Sequence, residues 1–406
     1  MNRYLIIADD LTGSNDTGIQ LKRHGYETIV TMDPGTVGSL KASYVLNTES
    51  RPLKGAAAFD LVKKLLSGID MSVYNHVIKK VDSTLRGSIA HEVAAVDAAY
   101  EPELVVFMPA FPDLGRTTED GIQKLNGTRI TQTELANDPI TPVTEDDIQK
   151  LLASVYNSSV THVGLESVDK RSIDFSKNRV FACDSTTNAH MQVVVAAAIK
   201  TGKRVLWVGS AGIVDNLMEI ESPRLPAIAL VASLSQTSKE QVLFAKRNGV
   251  KVLTVPSQCE FVKLDIVSEA TDVLNNRRDL VLVSAATLDR NGLARNMGTC
   301  RTGASSRMQK NMGGLMSEIL NQTKVSGIFI TGGDTAMGFL KEIGATGLRA
   351  VTEVQIGIPL MQIVGGKYAG FKIITKAGAF GQQDALFFAL RKLKENLNLG
   401  GKLWKL

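Results

Sequence analysis

The chain has 406 residues, of which 44% are hydrophobic and 21% charged, and its formal net charge is +5 at neutral pH. This length predicts two domains of ordinary size, each able to bury a core. Lysine and arginine alternate with acidic residues, without the basic block typical of nucleic-acid-binding proteins, so we expect small anionic ligands and no nucleic acid partner. Because the sequence shows neither a signal peptide nor a membrane-spanning apolar run, we expect a cytoplasmic protein without a membrane partner.

Cysteine and histidine spacing predicts no metal site held by the protein itself. The three cysteines, Cys183, Cys259 and Cys300, are far apart in sequence, so we expect reduced thiols rather than a disulfide framework. None of the five histidines has the His-x-x-x-His or His-x-x-Glu-His spacing of zinc sites.

Apolar strands alternate with helical patterns along the first half of the chain, which predicts a parallel sheet flanked by helices. A helix is expected from Asn15 to His24, ending at Gly25. Strands are expected at Tyr4–Ala8, Thr28–Thr31, Tyr44–Leu46, His76–Lys79, Leu104–Met108 and Arg204–Val208. Two prolines interrupt the helical pattern near residue 223, so we predict one domain at 1–222 and a second at 223–406.

The second half repeats the alternation of strands and helices. Strands are expected at Ala227–Ala232, Val250–Val255, Leu280–Ser284, Gly327–Thr331 and Phe371–Thr375, with helices at Ser305–Gln322 and Gln382–Asn396. The predicted fold is therefore α/β, with two domains that each contain a mostly parallel sheet flanked by helices.

Two adjacent carboxylates, Asp9 and Asp10, end the first predicted strand and precede Thr12 and Gly13. Open α/β sheets place ligands at this position. Neighbouring carboxylates repel each other, and a metal ion, a lysine or arginine, or a proton shared with a substrate relieves that repulsion. A solvated loop that also caps the helix is the non-functional alternative.

Cationic and hydroxyl side chains follow other strands of the first half. They occur in Lys79–Gly87, in Pro109–Thr118 and at Arg51. Arginine binds carboxylates in bidentate fashion, while carboxylates, serine and threonine bind the hydroxyls of a polyol. The set therefore favours a small hydroxy-acid ligand, although surface ion pairs and helix caps explain any single residue equally well.

Three predicted strands of the second half each run into a small-residue turn and then a helix. The turns are Ser233–Ser238, Thr331–Thr335 and Lys376–Gly381. Glycine allows close backbone approach, and a helix N-terminus supplies unpaired N–H groups for phosphate, so together the turns favour a nucleotide site. Neither Gly-x-Gly-x-x-Gly nor Gly-x-x-x-x-Gly-Lys-Ser/Thr occurs, which disfavours a Rossmann dinucleotide site and a Walker-type ATPase.

Five motifs together resemble the four-carbon acid sugar kinases. They are Ala8-Asp9-Asp10-Leu11-Thr12-Gly13, Lys80-x-Asp82-Ser83-Thr84-x-Arg86-Gly87, Pro109-Ala110-Phe111-Pro112-x-x-Gly115-Arg116, Gly332-Gly333-Asp334-Thr335 and Lys376-Ala377-Gly378-x-Phe380-Gly381. The motifs span nearly the whole chain in the order found in that family. Three positions depart from the family's pattern. Ala232 and Ser238 replace the first glycine and the last threonine of Gly-Ser-x-Ser-x-x-Thr, and Ser14 stands where alanine is more common, so its hydroxyl is expected to narrow or re-tune the acid-sugar pocket.

The resemblance implies an N-terminal domain that binds the acid sugar and a C-terminal domain that binds ATP, with the active site in the interdomain cleft. The γ-phosphoryl group would pass to a terminal hydroxyl, and Mg²⁺ would arrive with the nucleotide. D-threonate, giving 4-phospho-D-threonate, is the expected substrate, with D-erythronate and 3-oxo-tetronate as alternatives. A dehydrogenase and a non-catalytic sugar-acid sensor are the alternatives from other classes, and a homodimer is left open.

Specific roles follow from the same resemblance. Asp10 is the expected catalytic base, and Asp334 is the competing candidate. The residues expected to hold the substrate are Asp9, Asp10, Arg51, Lys80, Val81, Asp82, Ser83, Thr84 and Arg86. The residues expected to hold the nucleotide are Ser233, Ser235, Ser238, Gly332, Gly333, Asp334, Thr335, Lys376, Ala377 and Gly378.

Overall fold

The computed structural model describes residues 2–156, 160–256, 263–288 and 304–396. The chain divides into two units, Met1–Pro223 and Arg224–Leu406. Each unit is an α/β structure with a largely parallel sheet flanked by helices, which confirms the predicted fold class. Among the predicted thiols, Cys183 is free and buried, whereas Cys259 and Cys300 lie outside the described residues.

The first unit is built on an eight-stranded sheet in which all paired strands run parallel. In chain order the strands of this unit are β1 (Tyr4–Ala8), β2 (Thr28–Thr31), β3 (Ser43–Asn47), β4 (His76–Lys80), β5 (Leu104–Met108), β6 (Arg116–Glu119), β7 (Ile122–Leu125), β8 (Thr128–Arg129), β9 (Val160–Val163), β10 (Val180–Cys183) and β11 (Val205–Gly209). The spatial order of the large sheet is β2-β3-β1-β4-β11-β5-β10-β9, and β6, β7 and β8 form a separate antiparallel sheet.

Helices cover the large sheet on both faces. They are α1 (Leu11–Arg23), α2 (Ala56–Leu66), α3 (Ile89–Tyr100), α4 (Ile148–Tyr156), α5 (Leu165–Asp169), α6 (Asn188–Lys200) and α7 (Ala211–Glu221). Alternate residues of β1 enter two different cores, with Leu5 and Ile7 in one and Tyr4 and Ile6 in the other. A strand buried on both faces must be apolar at every position, which explains the uninterrupted apolar run at the start of the chain.

Strand β11 occupies the centre of the large sheet although it is the last strand of its unit. It lies between β4 and β5, and Gly209 at its end is aligned with Lys80 on one side and Met108 on the other. A side chain at Gly209 would clash with the carbonyl oxygen of Met108. The turn after β11 therefore lies beside the segments that follow β4 and β5.

The second unit contains a seven-stranded sheet with the order β13-β14-β12-β15-β18-β17-β16. Its strands are β12 (Ile228–Val231), β13 (Lys251–Val255), β14 (Leu280–Ser284), β15 (Ile328–Thr331), β16 (Gly347–Gln355), β17 (Ile358–Val364) and β18 (Lys372–Lys376). Its helices are α8 (Gln236–Arg247), α9 (Lys263–Asn275), α10 (Ala285–Leu288), α11 (Ala304–Gln322), α12 (Gly333–Glu342) and α13 (Ala385–Lys394). Strands β12, β15 and β18 are neighbours and run parallel, so their carboxyl ends share one edge.

Several strands were not predicted from the sequence. The predicted apolar runs form strands within one residue at each end, but β9, β10, the small antiparallel sheet and the hairpin β16–β17 were not expected. Strand β16 lies at the sheet edge and contains only exposed and half-buried residues, so it lacks the continuous apolar run on which the prediction relied. No helix within the described ranges has the length and apolar character needed to cross a membrane.

Candidate active site

The guanidinium of Arg51 binds both carboxylates at the end of β1. Arg51 Nε lies 2.6 Å from Asp9 Oδ2, and Nη1 and Nη2 each donate to Asp10 at 2.7 Å. Nη2 also donates to Asp9 Oδ1 at 3.1 Å. Of the predicted ways to relieve the repulsion between these carboxylates, the structure shows the arginine. Most of the Arg51 donors, which were expected to bind the substrate's carboxylate, are therefore already used within the protein.

Asp9 is fully buried, and its carboxylate depends on neighbouring cations. Burial alone would raise the pKa of Asp9, but the positive charge of Lys79 and the hydrogen bonds from Arg51 hold it below its ordinary value. Asp9 is 1% exposed. The carboxylate of Asp9 therefore stays ionised at the end of β1, where it can accept hydrogen bonds from hydroxyl groups.

Asp10 begins helix α1 as its N-cap. Its Oδ1 accepts a hydrogen bond from the backbone N–H of Gly13 at 3.0 Å. A Cβ at Gly13 would lie 2.6 Å from Asp10 Oδ1 and 2.8 Å from Lys80 Nζ, so glycine is what allows both groups to approach the helix. Ser14 is buried, and its hydroxyl donates to the carbonyl of Asp10 at 2.7 Å. That hydroxyl stabilises its own helix, and its expected effect on the ligand pocket stays a prediction.

Lys80 is a buried cation at the end of β4. It is 5% exposed, and within the described part of the chain no acceptor lies at hydrogen-bond distance from its ammonium group. Burial lowers the pKa of Lys80, while the charges of Asp9 and Asp82 act in the opposite direction. The ammonium group is thus held by neighbouring charges without direct hydrogen bonds, and a bound anion would supply the missing acceptor.

The loop after β4 is fixed by a second ion pair. Arg86 Nε donates to Asp82 Oδ2 at 2.6 Å, and the hydroxyl of Thr84 donates to the same oxygen. Burial alone would raise the pKa of Asp82, but these hydrogen bonds lower it. Leu85 and Gly87 have positive φ angles of 60° and 96°, so the loop turns tightly between them. The predicted residues Val81 to Arg86 therefore form one ordered loop beside Lys80.

Gln123 supports this loop and was missed by the sequence analysis. It lies on β7, is fully buried, and its side-chain amide donates to the carbonyl of Ser83 at 2.8 Å. Its backbone N–H donates to the carbonyl of Asp146 at 2.8 Å. The small antiparallel sheet thus contributes a direct contact to the Val81–Arg86 loop, and an isolated glutamine in the sequence gave no signal for that contact.

The turn after β11 was also missed as part of the site. The backbone N–H of Val81 donates to the carbonyl of Gly209 at 2.9 Å, and the hydroxyl of Ser210 donates to the carbonyl of Ala110 at 2.7 Å. Ser210 is the N-cap of α7. The turn therefore joins the loops after β4 and β5. Its strand, small-residue turn and helix follow the same pattern as the three turns singled out in the second half.

The three small-residue turns of the second unit do come together. The hydroxyls of Ser235 and Ser238 both donate to the carbonyl of Gly378, at 2.5 and 3.0 Å, and the backbone N–H of Gly332 donates to the carbonyl of Lys376 at 2.8 Å. A side chain at Gly378 would clash with Ser233. No left-handed backbone is found at Ala232, so the alanine replacing the family's glycine is accommodated.

The side chain of Lys376 stabilises one of these turns, Lys376–Gly381, through hydrogen bonds to the turn's own carbonyl groups. Its ammonium group donates to the carbonyls of Ala377, Gly378 and Phe380 at 2.9 to 3.0 Å. Burial lowers the pKa of Lys376 to about 8. Lys376, one of the residues expected to hold the nucleotide, thus shapes the turn, and its positive charge remains beside the neighbouring N–H groups.

Helix α12 begins at the turn after β15. The backbone N–H groups of its first turn have no partner within the helix, and the space beside Gly333 is open. Gly332 has a φ of 102°, whereas Gly333 has no neighbouring atom within 4 Å of a Cβ placed there. Thr335 is buried, and the buried hydroxyl of Thr331 has no hydrogen-bond partner in the described structure. Asp334 is exposed in the first turn of the helix. An open N-terminus beside an unpaired hydroxyl fits a phosphate group.

Protein-held metal coordination has no candidate in the described residues. No group of three or more histidine, cysteine, aspartate or glutamate side chains converges there. The exposed carboxylate of Asp334 lies at a helix start that suits phosphate, so a cation bound to phosphate and water would meet one protein carboxylate there.

Comparisons with known proteins agree with this division into two sites. A family model for a sugar-binding N-terminal domain matches residues 4–217, and one for a nucleotide-binding C-terminal domain matches residues 228–386. A D-threonate kinase of Salmonella typhimurium is 31% identical over 97% of this chain and 99% of the relative. A D-erythronate kinase of Heliobacterium modesticaldum is 24% identical over 95% of each chain.

A solved structure also resembles the whole chain. It is a Bordetella bronchiseptica protein with bound citrate, a domain-swapped dimer, with a TM-score of 0.62 and 26% identity. The similarity covers 97% of this chain and 98% of that protein. Two domain matches and full-length relatives confirm the resemblance seen in the motifs: the chain belongs to the four-carbon acid sugar kinase family, enzymes that phosphorylate four-carbon sugar acids and carry a nucleotide-binding domain.

Proposed function

We propose that the protein transfers the γ-phosphoryl group of ATP to the terminal hydroxyl of D-threonate. The observation that carries this proposal is Lys80, a buried lysine whose ammonium group has no hydrogen-bond acceptor among the described residues and lies near the carboxylates of Asp9, Asp82 and Asp10. A hydroxy-acid has the complementary groups, because its carboxylate pairs with Lys80 and its hydroxyls donate to aspartates.

The acid sugar would be held by Lys80 and the loop that follows it. Ser83, Thr84 and the outer nitrogens of Arg86 lie on this loop with Asp82, while Asp9 faces the same edge of the sheet. Arg51, expected at first to bind the substrate's carboxylate, instead fixes the two aspartates against each other. In this proposal Arg51 positions the hydroxyl-binding carboxylates, and Lys80 is the main anchor for the acid.

The nucleotide would be held by the three turns of the second unit. In this proposal the phosphates contact the backbone N–H group of Gly333, the hydroxyls of Ser233, Ser235 and Thr335, and the positive charge of Lys376, whose turn is bonded to Gly332. Mg²⁺, bound mainly to phosphate oxygens and water beside Asp334, would neutralise the charge that develops during transfer. The protein supplies alignment and charge stabilisation, which this chemistry requires more than covalent participation.

The geometry supports Asp334 over Asp10 as the proton acceptor. Both oxygens of Asp10 accept hydrogen bonds from Arg51, and one also accepts from Gly13, which uses three of its roughly four acceptor positions. Asp334 is exposed, and the described residues contain no partner for it. Both carboxylate oxygens of Asp334 therefore stay available to accept a proton. We therefore assign the base to Asp334 and a positioning role to Asp10.

D-threonate is preferred over related acids in this proposal because the D-threonate kinase at 31% identity is more similar than the D-erythronate kinase at 24%. The test compares kcat/KM for D-threonate, D-erythronate, L-threonate, 3-oxo-tetronate and the neutral tetritol. D-threonate should give the highest value, and the tetritol the lowest, because it leaves Lys80 without an anion. A preference for D-erythronate or 3-oxo-tetronate would change the substrate, whereas equal use of the tetritol would contradict the role of Lys80.

A homodimer is a separate proposal. It is supported by the domain-swapped dimer formed by the Bordetella bronchiseptica relative. Light scattering on the purified protein tests it directly: twice the 43.7 kDa chain mass is expected, and a single chain mass over the working concentration range would contradict it.

A further inference from the structure

Lys79 is a fully buried lysine just before the proposed substrate anchor. Because successive residues of a strand point to opposite faces, Lys79 and Lys80 leave β4 on different sides. Lys79 shares its face with Val77 and Val81, within the core that also contains Ile7. It is 0% exposed, and its ammonium group lies 2.6 Å from Glu92 Oε2 of helix α3.

This ion pair is poorly suited to a purely stabilising role. Removing two charges from water is costly, and well-packed apolar residues often stabilise a core as well as or better than a buried pair. Glu92 is 1% exposed, and its Oε1 has no hydrogen-bond partner in the described structure. The pair therefore retains an unsatisfied oxygen inside an apolar core, and this cost needs another explanation.

The contacts of Lys79 point toward the acid-sugar site. Its ammonium group donates to the carbonyl of Lys80 at 2.9 Å, so it holds the backbone at the point where the Val81–Arg86 loop begins. Lys79 is aligned with Ile7 of β1, and Asp9 follows two residues later on the same face. The cations acting on Asp9 are Lys79 and Lys80 from β4 and Arg51 from the loop after β3.

We propose that the buried Lys79–Glu92 pair is a positioning element of the acid-sugar site, which fixes the Lys80 backbone and holds a positive charge behind Asp9. This inference rests on the proposed function, because it assigns the pair's effect to acid-sugar binding. Lys79 and Glu92 are positioning residues here, since they act through Lys80 and Asp9. Lys79 supplies the charge, and Glu92 keeps that charge in place and partly neutralises it.

Two changes should move the pH profile in opposite directions. Lys79→Met combined with Glu92→Leu removes the pair without leaving a lone buried charge, so Asp9 loses a stabilising cation and the acid limb of kcat/KM moves to higher pH. Glu92→Gln keeps Lys79 and removes its neutralising charge, so the acid limb moves to lower pH. A general loss of stability would not produce shifts of opposite sign.

The experiment measures kcat and KM for D-threonate between pH 3 and 9 in both variants and the parent, because a carboxylate such as Asp9, whose pKa lies below its ordinary value, titrates at the acid end of this range. A matched control replaces Arg179 and Asp97 by Met and Leu, because that pair joins the other end of α3 to the residue before β10 with a bond of 2.7 Å. We expect KM for the acid to rise about tenfold in the double variant, with KM for ATP unchanged, because Lys80 is misplaced. The control should leave both the acid limb and KM unchanged.

Three results would overturn the inference. They are superimposed pH profiles in parent and folded double variant, shifts in the same direction in both variants, or an equal shift in the control. If the double variant does not fold, the downward shift in Glu92→Gln decides the question alone. If the parent does not phosphorylate the acid, the proposed function fails, and the pair is tested by thermal unfolding: acid destabilisation should begin at higher pH in the double variant, and an unchanged onset would overturn its role.

Discussion

The two predicted binding edges differ in the chemical groups that form them. The edge of the first unit is crowded with charged side chains, and most of these neutralise each other: Arg51 binds Asp9 and Asp10, and Arg86 binds Asp82. The edge of the second unit uses backbone groups, serine hydroxyls and glycine, with Lys376 bonded to carbonyls. In the proposed function, the first edge would bind a small acid through charge and fixed partners for its hydroxyls, whereas the second would bind a phosphate chain through backbone donors and open space.

This contrast decides how substitutions should act. Changing a charge in the first unit alters acid binding and its pH dependence, because each group is balanced by a neighbour. Adding a side chain in the second unit alters nucleotide binding through shape, because the ligand approaches the backbone itself. If the two edges are independent, a charge change in the first unit alters acid binding alone, and an added side chain in the second unit alters nucleotide binding alone.

The largest expected effect belongs to the proton acceptor. Asp334→Asn should lower kcat about 10²–10⁴-fold, the usual range for loss of a general base, with KM for the acid unchanged. Asp10→Asn should have a smaller effect, because it weakens the hold of Arg51 and leaves the proposed acceptor intact. Steady-state kinetics of both variants measure the difference. A larger loss of kcat in Asp10→Asn than in Asp334→Asn would return the base to Asp10.

Lys80→Met tests the charge anchor of the first unit. Methionine fills the buried space of the lysine stem but offers no charge, so kcat/KM for the acid should fall about 10–100-fold, as expected for loss of a charged hydrogen bond. KM for ATP should stay the same. Calorimetric titration with the acid and with ATP provides the check. Unchanged acid binding in the folded variant would place the anchor elsewhere.

Neighbouring glycines of the second unit should respond differently. Gly333→Val places a side chain in open space, so the fold should persist while ATP affinity falls about tenfold, or 1.4 kcal/mol. Gly333 does not adopt the left-handed conformation, which is found instead at Gly332. Gly332→Ala should instead destabilise the protein by about 1–2 kcal/mol. Calorimetry and chemical denaturation separate the two effects, and normal ATP binding in Gly333→Val would move the phosphate site.

The smallest effect near neutral pH comes from Lys376. Because burial lowers its pKa to about 8, the amine loses its proton above that pH and can no longer hold three carbonyls. KM for ATP should therefore rise above pH 8, by about tenfold at pH 9. Folding stability should not fall with it, since the unfolded lysine keeps its proton to higher pH and deprotonation relieves the cost of a buried charge. Lys376→Arg should flatten the KM profile, and a rise in both proteins would exclude Lys376 as its cause.

Much of this arrangement could be predicted from the chain. The apolar strands Tyr4–Ala8 and Leu280–Ser284 were placed correctly because strands buried on both faces have continuous apolar sequences. The three turns of the second unit were recognised because each joins a strand to a helix with small residues. Their meeting followed from the parallel alignment of β12, β15 and β18.

The remaining features depend on tertiary structure. The position of β11 between β4 and β5 places Gly209 beside Lys80, and sequence order gives no indication of it. The sequence also left the binding partner of Arg51 undetermined, since an arginine can bind either a substrate or neighbouring aspartates. Gln123 reaches Ser83 from a separate small sheet. In each case the sequence supplied the chemical group, and the fold determined which partner it met.

The rate of ADP formation from ATP and Mg²⁺, measured with and without D-threonate, tests the central claim most directly. Phosphoryl transfer needs both ligands, and the acid sugar supplies the accepting hydroxyl. ADP formation should therefore be slow with ATP alone and should increase at least 100-fold when D-threonate or its preferred four-carbon analogue is added, with one phosphorylated acid formed for each ADP. Equal ADP formation with and without a full panel of four-carbon acids would contradict the account.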